Sequence, residues 1–209
     1  MSSDLRQRLP VLAFIVIISF TTIYDWAFGL ENWRVVPFDL TKAWQAFLGG
    51  YGSGETIATL LTSIGVAFLH ADAGHIIWNM IFFWIFGVAL FEIVGWRWML
   101  AIFLVTTVGA TVGQVIKEPY SMVPMVGASG AVSGFKGAYL GLAVQKDRSS
   151  TRIWPVHSAI SPAQLGAVGV FGIMMDFMNL ASSVESNVAF AAHLGGFMTG
   201  LGFVFLRRS

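Results

Sequence analysis

The sequence contains no cysteine and little charge. Without cysteine there is no disulfide framework, no thiolate metal site and no cysteine nucleophile. Charged residues fill 11% of the 209 positions and hydrophobic residues 56%, whereas a soluble domain carries roughly twice that charged share. So much apolar surface needs lipid rather than water as its solvent. The 12 Lys and Arg nearly cancel the 11 Asp and Glu, so no basic excess points to nucleic acid. No internal repeat or low-complexity tract is visible, and residues 1–209 read as a single domain.

What is present is a series of long apolar runs. A spanning helix needs about 20 mostly apolar residues, and the stretches 9–24, 76–94, 98–116, 128–145, 163–181 and 188–206 meet or approach that length. The predicted class is therefore all-α, a polytopic bundle of six transmembrane helices with the bilayer as its partner. Arg6 and Arg8 precede the first run as they would in a signal peptide, but no small-x-small cleavage site follows. Asp25, Trp26 and Phe28 come next and suit a membrane interface, so the segment reads as a retained span. Residues 25–74 are mixed, with an apolar stretch from Ile57 to Leu69 too short to cross. They read as an interfacial loop carrying one or two short helices, flanked by Trp26, Trp33, Trp44 and Tyr51.

With the N-terminus in the cytoplasm, Arg6, Arg8, Arg97, Lys146, Arg148, Arg152, Arg207 and Arg208 fall on the inner side. Arg34, Lys42 and Lys117 fall outside. This positive-inside bias predicts both termini inside. A short chain without a targeting extension favours a bacterial plasma membrane over an organelle.

The chemistry is concentrated at the outer ends of three spans. Gly127-Ala128-Ser129-Gly130 opens the fourth. A serine in the first helical turn sits beside backbone N–H groups without intrahelical partners, at the positive end of the helix dipole. Those groups can hold a developing oxyanion, and Gly127 and Gly130 let a peptide backbone approach. The same glycines also suit a tight packing helix. Ala192-His193-Leu194-Gly195-Gly196 opens the sixth span. An ionisable side chain inside a membrane marks a candidate site, although a neutral interhelical hydrogen bond would also explain it. Both spans enter from the same side, so Ser129 and His193 share a shallow depth at which the imidazole can activate the hydroxyl. His75 and Asn79, four apart on one face of the second span, and His70 just before it add polar groups at that level.

In this order, the segment from His70 through His75 to Asn79, then Gly127-Ala128-Ser129-Gly130, then Ala192-His193-Leu194-Gly195-Gly196 through Gly200 resembles the rhomboid family of intramembrane serine proteases. The match covers roughly residues 62–206. The resemblance implies a six-helix fold and a Ser–His dyad with no acid and no cofactor. It implies cleavage of transmembrane protein substrates near the outer surface, oxyanion assistance from His75 and Asn79, and a structural turn at Glu92, Gly95 and Arg97. Two departures stand out. Family members commonly carry a Trp-Arg pair shortly before the first histidine, where this chain reads Ile57-Ala58-Thr59-Leu60-Leu61-Thr62, and Trp33-Arg34 lies far upstream. Some members place a tyrosine one turn after the nucleophile, where this chain has Ser133.

Other polar residues read as supporting structure. Lys136 lies about 10 Å deeper than Ser129 along its helix, too far for a Ser–Lys dyad, and suits snorkelling or pairing within the bundle. Asp176, about one turn from the outer end of the fifth span, could tune the site, but an interfacial acid in a hydrogen-bonded turn is the favoured reading. His157 reads as solvated in the inner loop. The upper histidines lack a carboxylate or cysteine partner, and HExxH is absent, so no metal is expected. The fifth span has glycines 166, 169 and 172 in its inner half and bulky Phe171, Met174, Met175, Phe177 and Met178 in its outer half. That contrast suggests an outer half able to move aside for substrate. Two rival functions remain: a non-catalytic rhomboid-like protein that binds transmembrane clients, and a small transporter, against which the missing inverted repeat argues. A soluble α/β-hydrolase is excluded by the spans and by Ala131 in the last glycine position of its G-x-S-x-G elbow.

Overall fold

The computed structural model describes residues 8–145, 151–153, 159–182 and 188–206. Arg6, Lys146, Arg148, His157, Arg207 and Arg208, which carry much of the inner-side reading, lie outside the described residues. The elements run α1 (Leu9–Phe28), α2 (Pro37–Leu48), α3 (Gly54–Gly65), α4 (Ala73–Lys117), α5 (Ser129–Gln145), β1 (Thr151–Arg152), β2 (Ala159–Ile160), α6 (Pro162–Ala181) and α7 (Phe190–Phe203). The two strands form a short antiparallel ribbon that the all-α reading did not anticipate.

The helix count differs from six. Among the described residues there are seven α-helices, because the interfacial loop contributes α2 and α3 while the second and third spans run on as one element. At 45 residues, α4 would reach about 68 Å if straight, at 1.5 Å per residue, more than twice the roughly 30 Å hydrocarbon core. It does not run straight. Gly95, at φ 78° and ψ 170°, interrupts the helix in a conformation that L side chains rarely adopt. The Phe83 and Phe103 rings, on opposite sides of that break, stand 5.9 Å apart. The first arm of α4 therefore folds back against the second.

Among the described residues α1, α4 and α6 are long and apolar enough to cross a membrane. At 14 residues, α7 is shorter than the span 188–206 read from the sequence, while α5, at 17, matches 128–145 to within one residue. The apolar run of α7 continues past the helix end: the sixth span ends in a 3-10 turn, Val204–Leu206.

Small residues build that interior. A Cβ on Gly196 would strike the Gly130 carbonyl, and one on Gly200 would strike that of Gly134. Further along, Gly137 meets Phe197 and Gly141 meets Val204. Both sets of numbers rise together, so α5 and α7 run parallel with their backbones in contact. The second arm of α4 crosses them antiparallel, with Thr106 against Gly134, Ala110 against Gly130 and Gly113 against Gly195. Such close backbone approach is how helices gain dispersion contact without a hydrophobic driving force. Deeper in the bundle, Phe83, Phe103 and Phe135 form an aromatic cluster with Phe14 of α1. Arg8 ties the start of α1 to Glu92 through a 2.8 Å ion pair.

By contrast, α6 lies at the periphery. Its start is well specified: Ser161 accepts from the Gln164 N–H, Gln164 Oε1 accepts from the Ser161 N–H, and Pro162 takes the first helical position. Yet 11% of its most apolar stretch is buried, against 44% for α4. Phe171, Met174, Phe177 and Met178 point outward, as do Val16, Ile17 and Phe20 of α1. Large apolar side chains facing out on successive turns identify an integral membrane protein.

Candidate active site

Ser129 begins α5, and the loop before it is fixed at three places. Val35 and Met125 exchange backbone hydrogen bonds of 3.2 and 2.8 Å. The Gly127 N–H donates to the Val66 carbonyl at 2.9 Å. The Ala128 N–H donates to His70 Nε2 at 3.3 Å. With those donors occupied, the N–H groups of Ser129, Gly130 and Ala131, in the first turn, are the ones without intrahelical partners, since the first helical bond runs from the Val132 N–H to the Ala128 carbonyl. Gly127 has φ 127°, and a Cβ there would lie 2.7 Å from His75 Nε2 and 3.7 Å from Ser129 Oγ. The His75 ring and the Ser129 hydroxyl thus flank one small space.

His75 is set by its own helix cap. Asp72 accepts from the His75 N–H at 2.8 Å, and the Ala71 N–H approaches Nδ1 at 3.4 Å. An accepting Nδ1 leaves the proton on Nε2, the nitrogen nearer Gly127. Asn79 is buried, and its amide donates to the His75 carbonyl at 2.9 Å. One of its two N–H bonds is therefore spent within the helix.

His70 is a structural pin. The Thr22 hydroxyl donates to the Phe68 carbonyl at 3.0 Å and also lies 3.0 Å from His70 Nδ1. A hydroxyl has one proton to give, so Nδ1–H donates to Thr22 while Nε2 accepts from Ala128. Trp26 Nε1 donates to the His70 carbonyl at 2.7 Å. Both ring nitrogens and the carbonyl of this buried residue are satisfied with the imidazole neutral. Burial, reinforced by the neighbouring His75 ring and opposed by the Asp72 carboxylate, pushes the imidazole down to about 3. Sequence reasoning missed Thr22 and Trp26 because they come from α1, distant along the chain. It also left the Trp-Arg departure unanswered. Trp33 packs against Gly65 and stands edge-on to Phe68, while Arg34 pairs with Glu31 at 3.0 Å and Asp25 at 3.6 Å. The upstream pair thus reaches the segment that leads into His70.

His193 lies in the first turn of α7. Since Gly196 sits on the Gly130 carbonyl, and the Ala192 carbonyl is 3.6 Å from a Cβ on Gly130, His193 and Ser129 project from facing helices at the same end of the seam. The helical rise places His193 about 3 Å nearer that end than Ser129. His193 Nδ1 stands 3.0 Å from Asp176 Oδ1 on α6, and the Phe190 ring meets the imidazole edge-on at 6.2 Å. This corrects the placement of Asp176 in an interfacial turn: it faces the histidine. Ser133, where relatives can carry tyrosine, is buried on α5. Lys136 packs beside Gly172 of α6 and over the Phe82 ring at 5.0 Å, held within the bundle.

A polytopic helical membrane protein with a serine and a histidine presented from two parallel, glycine-packed helices is the class these features define. The protein-family model described as the Rhomboid domain matches residues 58–209, and the chain belongs to the rhomboid family. Among curated relatives it is 31% identical over 181 residues to RHOMBOID-like protein 12, mitochondrial, of Arabidopsis thaliana, covering 78% of this chain and 50% of that protein. It is 28% identical over 171 residues to YdcA, a candidate rhomboid protease of Bacillus subtilis (strain 168), covering 82% of this chain and 79% of that protein. RHOMBOID-like protein 1 of Arabidopsis thaliana is 30% identical over 143 residues, covering 67% of this chain and 33% of its own length. The chain thus spans half or less of the two plant relatives and most of the bacterial one. Rhomboids are usually serine intramembrane proteases that act on membrane-protein substrates within the bilayer.

Proposed function

We propose that this chain is an intramembrane serine endopeptidase that hydrolyses peptide bonds in or next to transmembrane segments. Ser129 Oγ attacks the scissile carbonyl carbon as His193 Nε2 takes the hydroxyl proton. The carbonyl oxygen becomes an oxyanion facing the Ser129 and Gly130 N–H groups, His75 Nε2–H and the second N–H of Asn79. Collapse breaks the C–N bond, and Nε2 returns the proton to the leaving amine. Water, activated by the same histidine, then hydrolyses the acyl ester and restores the hydroxyl.

The observation that carries this reading is the parallel α5–α7 seam, which presents Ser129 and His193 from facing first turns. Further support comes from the three ties that hold the loop ahead of Ser129 and from membership of a family of proteases. The same reading includes one rhomboid domain over residues 1–209, both termini inside, and a bacterial plasma membrane. The test is to reconstitute the full chain in vesicles with a panel of single-span substrates, using Ser129→Ala as control. Cleavage by the wild type and not by Ser129→Ala is expected. Cleavage at equal rates by both proteins would refute it.

A further inference from the structure

A serine–histidine dyad has no use for an acid, yet a carboxylate meets this histidine. Asp176 Oδ1 is 3.0 Å from His193 Nδ1, with the two side chains 15% and 14% exposed. An ionised carboxylate can only accept, so a hydrogen bond between them requires the proton on Nδ1. The other ring nitrogen, Nε2, then carries the lone pair. We propose that Asp176 is a positioning residue for His193. It holds the imidazole in the tautomer whose Nε2 can take the Ser129 proton, and it offsets the positive charge that the ring gains when it does. This rests on the reading above, in which His193 serves Ser129.

The surroundings favour that role. The ring is held from two sides, by Asp176 on α6 and by the Phe190 edge on its own helix. Neither support comes from α5, where the position one turn after Ser129 is the small, buried Ser133. Support for the imidazole is thus supplied from α6, which is peripheral yet carries one of the few carboxylates within a span.

A competing role for Asp176 is to balance Lys136. The Lys136 Nζ is 3.2 Å from a Cβ on Gly172, one turn below Asp176 on the same helix. A carboxylate kept solely as the lysine's counter-ion would become dispensable once the lysine is neutral. Removing both charges therefore separates the two roles.

The experiment measures kcat and KM for one single-span substrate in vesicles, using wild type, Asp176→Asn, Asp176→Glu, the double variant Asp176→Asn with Lys136→Met, and Ser129→Ala. It also records the 15N resonances of the His193 ring. Asp176→Asn should lower kcat about 10²-fold, because an amide can donate to Nδ1 and stabilise the wrong tautomer, and should leave KM within about twofold. Asp176→Glu should recover most of the loss, and the double variant should stay as slow as Asp176→Asn. The wild-type spectrum should show a protonated Nδ1 and an unprotonated Nε2. A kcat for Asp176→Asn within about twofold of wild type, recovery in the double variant, or a wild-type proton on Nε2 would each overturn the proposal. If Asp176→Asn does not fold, Asp176→Glu and the wild-type spectrum decide. Failure of the underlying protease reading looks different: Ser129→Ala would then cleave as fast as wild type, whatever the Asp176 variants do.

Discussion

The seam between α5 and α7 and the flank formed by α6 are built from opposite materials. In the seam, Gly130, Gly134, Gly137, Gly196 and Gly200 bring backbone against backbone, with no space for a methyl group. On the flank, the outer half of α6 presents Phe171, Met174, Phe177 and Met178 to the surroundings, and methionine in particular packs adaptably. The seam fixes the spacing of Ser129 and His193. The flank is loosely held, yet it delivers Asp176 to His193. The lesson is a division of labour: close backbone packing sets where Ser129 and His193 sit, and a less buried helix supplies a contact at their edge.

Disturbing the seam should have the largest effect. Gly200→Val would force side-chain carbon into the Gly134 backbone, and overpacking against main chain should cost about 3 kcal/mol. Thermal unfolding in detergent should show a large drop in midpoint together with loss of turnover. A midpoint near that of wild type would mean that the helices are not locked at this point.

The flank should respond in function before stability. Because the chain has no cysteine, a cysteine pair bridging the outer half of α6 to the first arm of α4 can be oxidised without side reactions. Locking that edge should cut cleavage of a membrane substrate at least about tenfold if entry requires the edge to open. Modification of Ser129 by a small soluble probe should continue. Unchanged turnover in the oxidised protein would rule out substrate entry on this side. At the small end of the scale, Phe171→Ala, which removes a lipid-facing ring, should shift the unfolding free energy by less than about 1 kcal/mol.

Between these extremes lies the His70 pin, which joins α1 to the start of α5. Its folded imidazole titrates near 3, whereas an unfolded histidine titrates near about 6.5. Between those values the unfolded chain binds a proton that the folded chain refuses, so stability falls as pH drops below about 6.5 and is fully present above it. Unfolding midpoints followed from pH 7 to 4 should decline in the wild type and decline less steeply in His70→Gln. Equal slopes would show that another group governs acid sensitivity.

Much of this arrangement is legible in the sequence, and its gaps have physical causes. Ser129, His193, His75 and Asn79 can be read because the pattern needs small residues at helical spacing beside a few polar ones. The turn at Gly95 is legible through the family resemblance, which implies one at Glu92, Gly95 and Arg97, and the helix breaks there. The length of α7 is not legible, since its apolar run continues past the helix end into the 3-10 turn Val204–Leu206. Nor is the contact between Asp176 and His193, because nothing local marks two residues on successive helices as facing. The Thr22, Trp26 and His70 network is hidden for the same reason: its members belong to α1 and to the loop ahead of α4.

The central claim is tested most directly by treating the reconstituted protein with a fluorophosphonate probe and mapping the modified residue by mass spectrometry. Labelling should fall on Ser129, vanish in Ser129→Ala, and drop sharply in His193→Ala. Equal labelling of wild type and Ser129→Ala would contradict the account.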